Sequence, residues 1–171
     1  MVVVPRHLRS KDKVFPEAKA LRAVLAGLRL QGKTVVLSNG VFDLVHVGHL
    51  RALEDARSRG DFLVVALNSD RSTEANKGKG RPLVPIAERM ELMAGFWFVD
   101  YVTSFDEDTA DAVLEILQPD LYAKGTDYNA KTLPERDTLK RLGIKPIFVG
   151  DKKDHSTQKL IQKIRRRKLD E

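Results

Sequence analysis

Two short apolar runs at 34–38 (TVVLS) and 62–67 (FLVVAL) flank a helical stretch at 48–59, and this unit constrains the fold most. Each run is apolar without alternation, the pattern of a strand covered on both faces. Weaker runs of the same kind recur at 99–103, 121–123 and 146–149. Helical patterns fill the intervals. At 16–30, Leu21, Val24, Leu25 and Leu28 share one stripe; further helices are expected at 85–96, 109–117, 132–142 and 156–168. This rhythm predicts an α/β fold, a Rossmann-like doubly wound parallel sheet of five strands preceded by an extra N-terminal helix. Ligands of such sheets bind beyond the carboxyl ends of the strands, which directs attention to the residues just after each run.

The 171 residues suit one domain, with 1–33 as an N-terminal arm and helix, 34–155 as the α/β core and 156–171 as a basic C-terminal helix. No repeat or low-complexity tract interrupts it. The absence of cysteine excludes disulfides, a thiolate nucleophile and Cys-based zinc sites. No apolar run approaches the roughly 20 residues of a bilayer span, and the opening Met1-Val2-Val3-Val4-Pro5 is too short for a signal-peptide core. A cytoplasmic location and no membrane partner are the expectation. The net charge of +6 is unevenly placed, because 151–171 holds eight Lys and Arg against four acids. Nucleic-acid binding by that tail is disfavoured, since it lacks interleaved aromatics and Leu160, Ile161 and Ile164 read as packing residues.

Directly after the first run the chain reads Ser38-Asn39-Gly40-Val41-Phe42-Asp43-Leu44-Val45-His46-Val47-Gly48-His49. Two histidines flank a glycine at the mouth of a helix, where unpaired N–H groups and the helix dipole favour an anion. Three readings fit this spacing: phosphate binding by both imidazoles, metal ligation with Asp43 as a third ligand, or local helix capping. Lys77 and Arg81 fall in a polar connection that reads either as a solvated loop or as a flap for phosphates. Lys124, Gly125 and Asp127 follow a strand, where they form a plain turn or border a ligand. Ser156 and Thr157 suit helix capping and anion binding alike.

Gly40-x-Phe42-Asp43-x-x-His46-x-Gly48-His49 resembles the signature of the cytidylyltransferase-like nucleotidyltransferases. Asn68-Ser69-Asp70, Lys77-Gly78-x-Gly80-Arg81-Pro82, Glu88-Arg89-Met90, Lys124-Gly125-Thr126-Asp127-Tyr128 and His155-Ser156-Thr157-Gln158 extend the likeness in order down the chain. Within the family the set resembles the bacterial D-glycero-β-D-manno-heptose 1-phosphate adenylyltransferase branch, free or as the second domain of a kinase–transferase. The resemblance implies transfer of AMP from ATP to a sugar 1-phosphate with release of pyrophosphate. Transfer of CMP to glycerol 3-phosphate or another phospho-alcohol is the alternative. It also implies catalytic roles for His46, His49, Lys77 and Arg89. Nucleotide contacts are implied for Asn39, Gly40, Phe42, His46, Gly48, His49, Lys124, Gly125, Asp127, Ser156 and Thr157, and substrate-phosphate contacts for Lys77 and Arg81. Mg²⁺ is implied as ATP's companion, without a dedicated protein metal site. Homodimers occur often in the family. One departure stands out: Gln158 occupies a place where the family usually has a second Thr.

Overall fold

The computed structural model describes residues 9–151 and 157–167. The run predicted at 34–38 forms β2 (Val35–Gly40), and the run at 62–67 forms β3 (Phe62–Asn68). They pair in parallel from Val35 opposite Phe62 to Gly40 opposite Leu67. Helix α2 (Val47–Ser58) crosses between them. The remaining predicted strands are β4 (Tyr101–Phe105), β5 (Leu121–Gly125) and β6 (Lys145–Val149). All pairings are parallel, in the order β1-β4-β3-β2-β5-β6.

Side chains alternate across the sheet, as the strand period of two requires. Val35, Leu37, Val64, Ala66 and Tyr122 face one core with Leu21 and Leu25 of α1 (Ala18–Leu30). The same core takes Val113, Leu114 and Leu117 of α5 (Asp111–Leu117) and Leu139 of α6 (Arg136–Leu142). Val36, Leu63, Val65, Leu67 and Ala123 face the other core. They meet Leu53 and Ala56 of α2 and Met90, Met93 and Ala94 of α4 (Ile86–Gly95). Burial on both faces explains why the strand runs are continuously apolar.

The sheet has six strands rather than the expected five. The additional β1 (Val14–Glu17) pairs with β4 at the sheet edge and precedes α1, which begins at Ala18 rather than at 16. Four residues containing Pro16 give little strand signal, and an edge is where proline is tolerated. A single 3-10 turn, Ser10–Lys13, leads into β1, and buried Lys13 donates from Nζ to the Phe96 carbonyl at the end of α4 (3.1 Å). The second difference is α3 (Asp70–Lys77), in a stretch expected to be a connection. Its sequence DRSTEANK carries no apolar stripe, so periodicity is silent there. Ser69 Oγ accepts from the Ser72 amide (3.0 Å) as an N-cap, and Ser72 and Thr73 supply a polar buried face. Helices α5 and α6 start two and four residues later than predicted.

From β2 the chain passes to β3 on one side, and β5 docks on the other side of β2. The carboxyl ends of β2 and β5 therefore border a topological switch point, where open α/β sheets form crevices. Helix α7 (Thr157–Arg167) closes the described chain. Among the described residues, no helix is long and apolar enough to cross a membrane.

Candidate active site

The crevice at the switch point is a cleft of about 850 Å³. Twelve nominated residues line it together: Asn39, Gly40, Phe42, His46, Gly48, His49, Lys77, Arg81, Lys124, Gly125, Asp127 and Thr157. Gln158 lines it as well. Ser156 lies outside the described residues, as does His155.

The segment after β2 is shaped by close packing. Phe42 is buried with φ of 49°, an uncommon conformation for a residue with a side chain. Its ring turns back under Gly40, where an added Cβ would lie 3.0 Å from the ring edge. The same ring meets the His49 imidazole edge-on, with centroids 5.2 Å apart. His46 is the N-cap of α2, and its ring stacks on that of His49 with centroids 3.8 Å apart. His49 Nδ1 accepts from the His46 amide (3.4 Å), as the third helical residue does in a capping box. A neutral His49 in this arrangement carries its proton on Nε2.

Asp43, buried at 4% exposure, fastens this segment to residues 81–84. One carboxylate oxygen accepts from Arg81 Nε (2.6 Å) and lies 2.6 Å from Arg81 Nη2; the other accepts from the Leu83 and Val84 amides (2.8 and 2.9 Å). Arg81 is thereby held at the cleft wall. Lys77, the last residue of α3, also faces the cleft.

Arg89, for which the resemblance implies a catalytic role, sits behind the cleft and not in its lining. It is fully buried. Its guanidinium donates to the carbonyls of Val41 (2.6 Å), Asn68 (2.9 Å) and Val84 (2.9 Å) and to Asp70 Oδ1 (2.6 Å). These partners end β3, follow β2 and precede α4. Arg89 thus braces the cleft wall from behind.

Across the cleft, the Tyr122 hydroxyl donates to Asn39 Oδ1 (2.7 Å) and ties the ends of β5 and β2 together. Burial drives the Tyr122 phenol far above its ordinary range, with the Glu135 carboxylate adding to the shift, so it stays protonated as a donor. Lys124 Nζ lies 5.4 Å from the Tyr122 ring centroid, 5.2 Å from that of Tyr128 and 3.7 Å from Glu135 Oε1. Burial pulls the Lys124 ammonium below its usual value, opposed by Glu135 and Asp127 and reinforced by Lys77. The Thr157 hydroxyl donates to the Leu44 carbonyl (3.2 Å), which fixes the start of α7 against the histidine segment. Two helix N-termini, of α2 and α7, therefore open on a cleft carrying Lys77, Arg81 and Lys124, a field suited to phosphates.

The profile of the cytidylyltransferase-like family matches residues 37–165. The chain belongs to that family. Membership makes it an enzyme of nucleotidyltransferase type. Among curated relatives, the bifunctional protein HldE of Syntrophotalea carbinolica is 40% identical over 158 residues, 92% of this chain and 32% of that protein. The bifunctional protein HldE of Geobacter sulfurreducens is 42% identical over 153 residues, 90% of this chain and 31% of that protein. The chain thus spans about a third of these relatives. A solved structure titled as the lipopolysaccharide core biosynthesis protein from Thermoplasma volcanium superposes with a TM-score of 0.61 at 26% identity. That match covers 71% of this chain and 99% of that one.

One residue of this cytidylyltransferase-like cleft carries no sequence signal, and the contacts of another are only partly legible. Glu135 has no motif signal, because it lies in the connection before α6 and its neighbours Ala110 and Lys124 are distant in sequence. Asp43 was visible in the motif, but its grip on residues 81–84 joins segments some forty positions apart. Gly125 offers a direct check of the geometry, since a Cβ there would lie 2.7 Å from Asp127 Oδ1. Gly125→Ala is expected to push Asp127 aside and weaken nucleotide binding about tenfold, with under about 1 kcal/mol of stability lost. Nucleotide titration beside a denaturant melt measures both.

Proposed function

We propose that the chain transfers AMP from ATP to D-glycero-β-D-manno-heptose 1-phosphate, giving ADP-heptose and pyrophosphate for lipopolysaccharide or surface-glycan synthesis in the cytoplasm. The observation that carries this reading is the convergence of His46, His49, Lys77, Lys124 and the start of α7 on one cleft at the switch point. The motif resemblance suggests the nucleotide and acceptor, and the kinship with the HldE proteins supports that choice.

An oxygen of the acceptor phosphate bonds to the α-phosphorus of ATP in line. The bond from that phosphorus to the bridging oxygen breaks, and pyrophosphate departs with the electron pair. Catalysis of this kind rests on positioning and on neutralising the charge that develops. His49 donates from Nε2 to a nucleotide phosphate, with His46 stacked beside it. Lys77 adds a point charge, and Arg81, aimed by Asp43, receives the substrate phosphate. Asn39, Gly40, Phe42 and Gly48 shape the floor under the nucleotide, while Lys124, Gly125 and Asp127 border the adenosine. Thr157 and the first turn of α7 hold the phosphate tail, with Gln158 as an amide donor in place of the usual Thr. Arg89 acts as a positioning residue.

Among the described residues no three His, Asp or Glu side chains gather to hold a metal ion. Mg²⁺ fits this cleft as part of the nucleotide, coordinated by phosphate oxygens and water, where it neutralises charge on the triphosphate.

Pyrophosphate release measured with ATP or CTP against the heptose 1-phosphate or glycerol 3-phosphate tests the reading. Turnover is expected with ATP and the heptose phosphate. Turnover with CTP and glycerol 3-phosphate alone would replace it with the cytidylyl alternative.

A further inference from the structure

We propose that Asp108 is a specificity-determining residue of the cleft, whose exposed carboxylate accepts a hydrogen bond from a hydroxyl of the phosphorylated co-substrate. That this co-substrate carries a phosphate rests on the nucleotidyl-transfer reading; the need for a donor rests on the side chain itself.

Asp108 lies in the connection from β4 to α5, lines the cleft and is exposed. Helix α3 holds this connection in place. The Ser69 amide donates to the Phe105 carbonyl (2.8 Å), the Ser72 hydroxyl to that of Glu107 (2.8 Å) and Asn76 Nδ2 to that of Asp108 (3.3 Å). Ser69, Ser72 and Asn76 recur at intervals of three and four, so the cap and one face of α3 form a polar rail along residues 105–108. The neighbouring acids are used within the protein. Asp106 accepts from Ser69 and Arg71, and Glu107 accepts from the Asp106 amide (3.1 Å). Elsewhere in the lining, Asp43 is taken by Arg81 and two amides, Glu135 by the Ala110 amide and Lys124, and Asp151 by Arg51. Asp127 faces Lys124. Among the described residues, no donor reaches the Asp108 carboxylate.

The chemistry of the cleft narrows what supplies that donor. Phosphate oxygens accept and carry negative charge, so a carboxylate repels them. His49, Lys77, Arg81 and the two helix N-termini already provide the donors a phosphate needs. Asp108 is tied through Asn76 to α3, which ends at Lys77, and so stands beside that phosphate-binding set. One ligand satisfies both: a polyol phosphate with its phosphate on Lys77 and Arg81 and a hydroxyl on Asp108. The nucleotide's sugar and base belong to the β5 side, which has its own carboxylate in Asp127. A site built to bond a hydroxyl rejects molecules that lack it, and Asp108 thereby discriminates against a bare phosphate.

Calorimetric titration of the whole chain tests this with D-glycero-β-D-manno-heptose 1-phosphate, glycerol 3-phosphate, inorganic phosphate and Mg-ATP. Asp108→Asn keeps the shape of the side chain and the backbone bond from Asn76. It is expected to weaken the polyol phosphate that the wild type binds by about tenfold, the step from a charge-assisted to a neutral hydrogen bond. Inorganic phosphate and Mg-ATP should weaken by less than twofold or bind more tightly, because a negative charge has been removed. Asp108→Ala should lose at least as much polyol phosphate affinity, and a denaturant melt matched to the wild type confirms that neither variant acts through folding. Loss below twofold for the polyol phosphate overturns the proposal. So does tightening of every ligand, which makes Asp108 a mere repeller of anions, and so does equal loss for Mg-ATP, which assigns the carboxylate to the nucleotide. Wild-type titrations test the nucleotidyl reading separately. Failure to bind Mg-ATP overturns that reading alone, and binding of glycerol 3-phosphate in place of the heptose phosphate changes the co-substrate while Asp108 is tested on it. A wild type that binds neither polyol phosphate more tightly than inorganic phosphate overturns the role of Asp108.

Discussion

Replacing His49 by alanine is expected to lower kcat for nucleotidyl transfer by about two to three orders of magnitude, the usual cost of removing one donor aimed at developing charge. The donor in question is the Nε2 proton, which is fixed there because Nδ1 accepts from the His46 amide (3.4 Å). Stability should change little. The imidazole's stack on His46, its edge contact with Phe42 and its share of the helix cap together contribute about 1–2 kcal/mol. Initial-rate pyrophosphate assays paired with a calorimetric melt separate the two effects. A melting midpoint lowered by more than about 10 °C would assign His49 to the fold and not to the chemistry.

Arg89→Met should show the opposite balance. The apolar side chain has a similar length, but it strands the carbonyls of Val41, Asn68 and Val84 in a dry interior and leaves Asp70 without its cation. Breaking a buried charged network of this kind costs about 3–5 kcal/mol, or about 6–20 °C in midpoint for a chain of this size. Arg89→Lys should recover little, because one ammonium cannot serve acceptors on three separate segments that a planar fork reaches at once. Activity per folded molecule should also fall, since the Val41 carbonyl leads into the histidine segment. If Arg89→Met melts like the wild type and only the KM for ATP rises, Arg89 contacts ligand directly and the brace is wrong.

Much of the fold is legible in the sequence, for physical reasons that also mark where legibility ends. Strands β2 and β3 announced themselves because burial on both faces forces unbroken apolar runs. The histidine motif was legible because helix entry, glycine and imidazole sit within ten residues and need no distant partner. Helix α3 was not, because Ser72 and Thr73 bury hydroxyls where periodicity looks for carbon; the Ser69 cap and Gly78 at φ 94° were its remaining signals. Strand β1 was hidden by its length and Pro16. Arg89 shows the limit for sites. Its place in a motif is visible in sequence, but whether a guanidinium points at a ligand or at three carbonyls is decided by segments as far apart as Val41 and Val84.

The strand order has a consequence for the chain during synthesis. Strand β2 obtains its second neighbour only when β5 arrives, with residues 41–120 made in between. Until then one side of a strand that opens with Val35, Val36 and Leu37 presents unpaired amides and carbonyls, an arrangement prone to pairing with another chain. The ligand cleft is likewise half built, since Lys124 and Gly125 sit on the late strand. Bound nucleotide cannot rescue an early intermediate, so a ribosome-bound chain released before Gly125 should aggregate whether or not ATP is present. Pausing or truncation in that window leaves this strand edge uncovered.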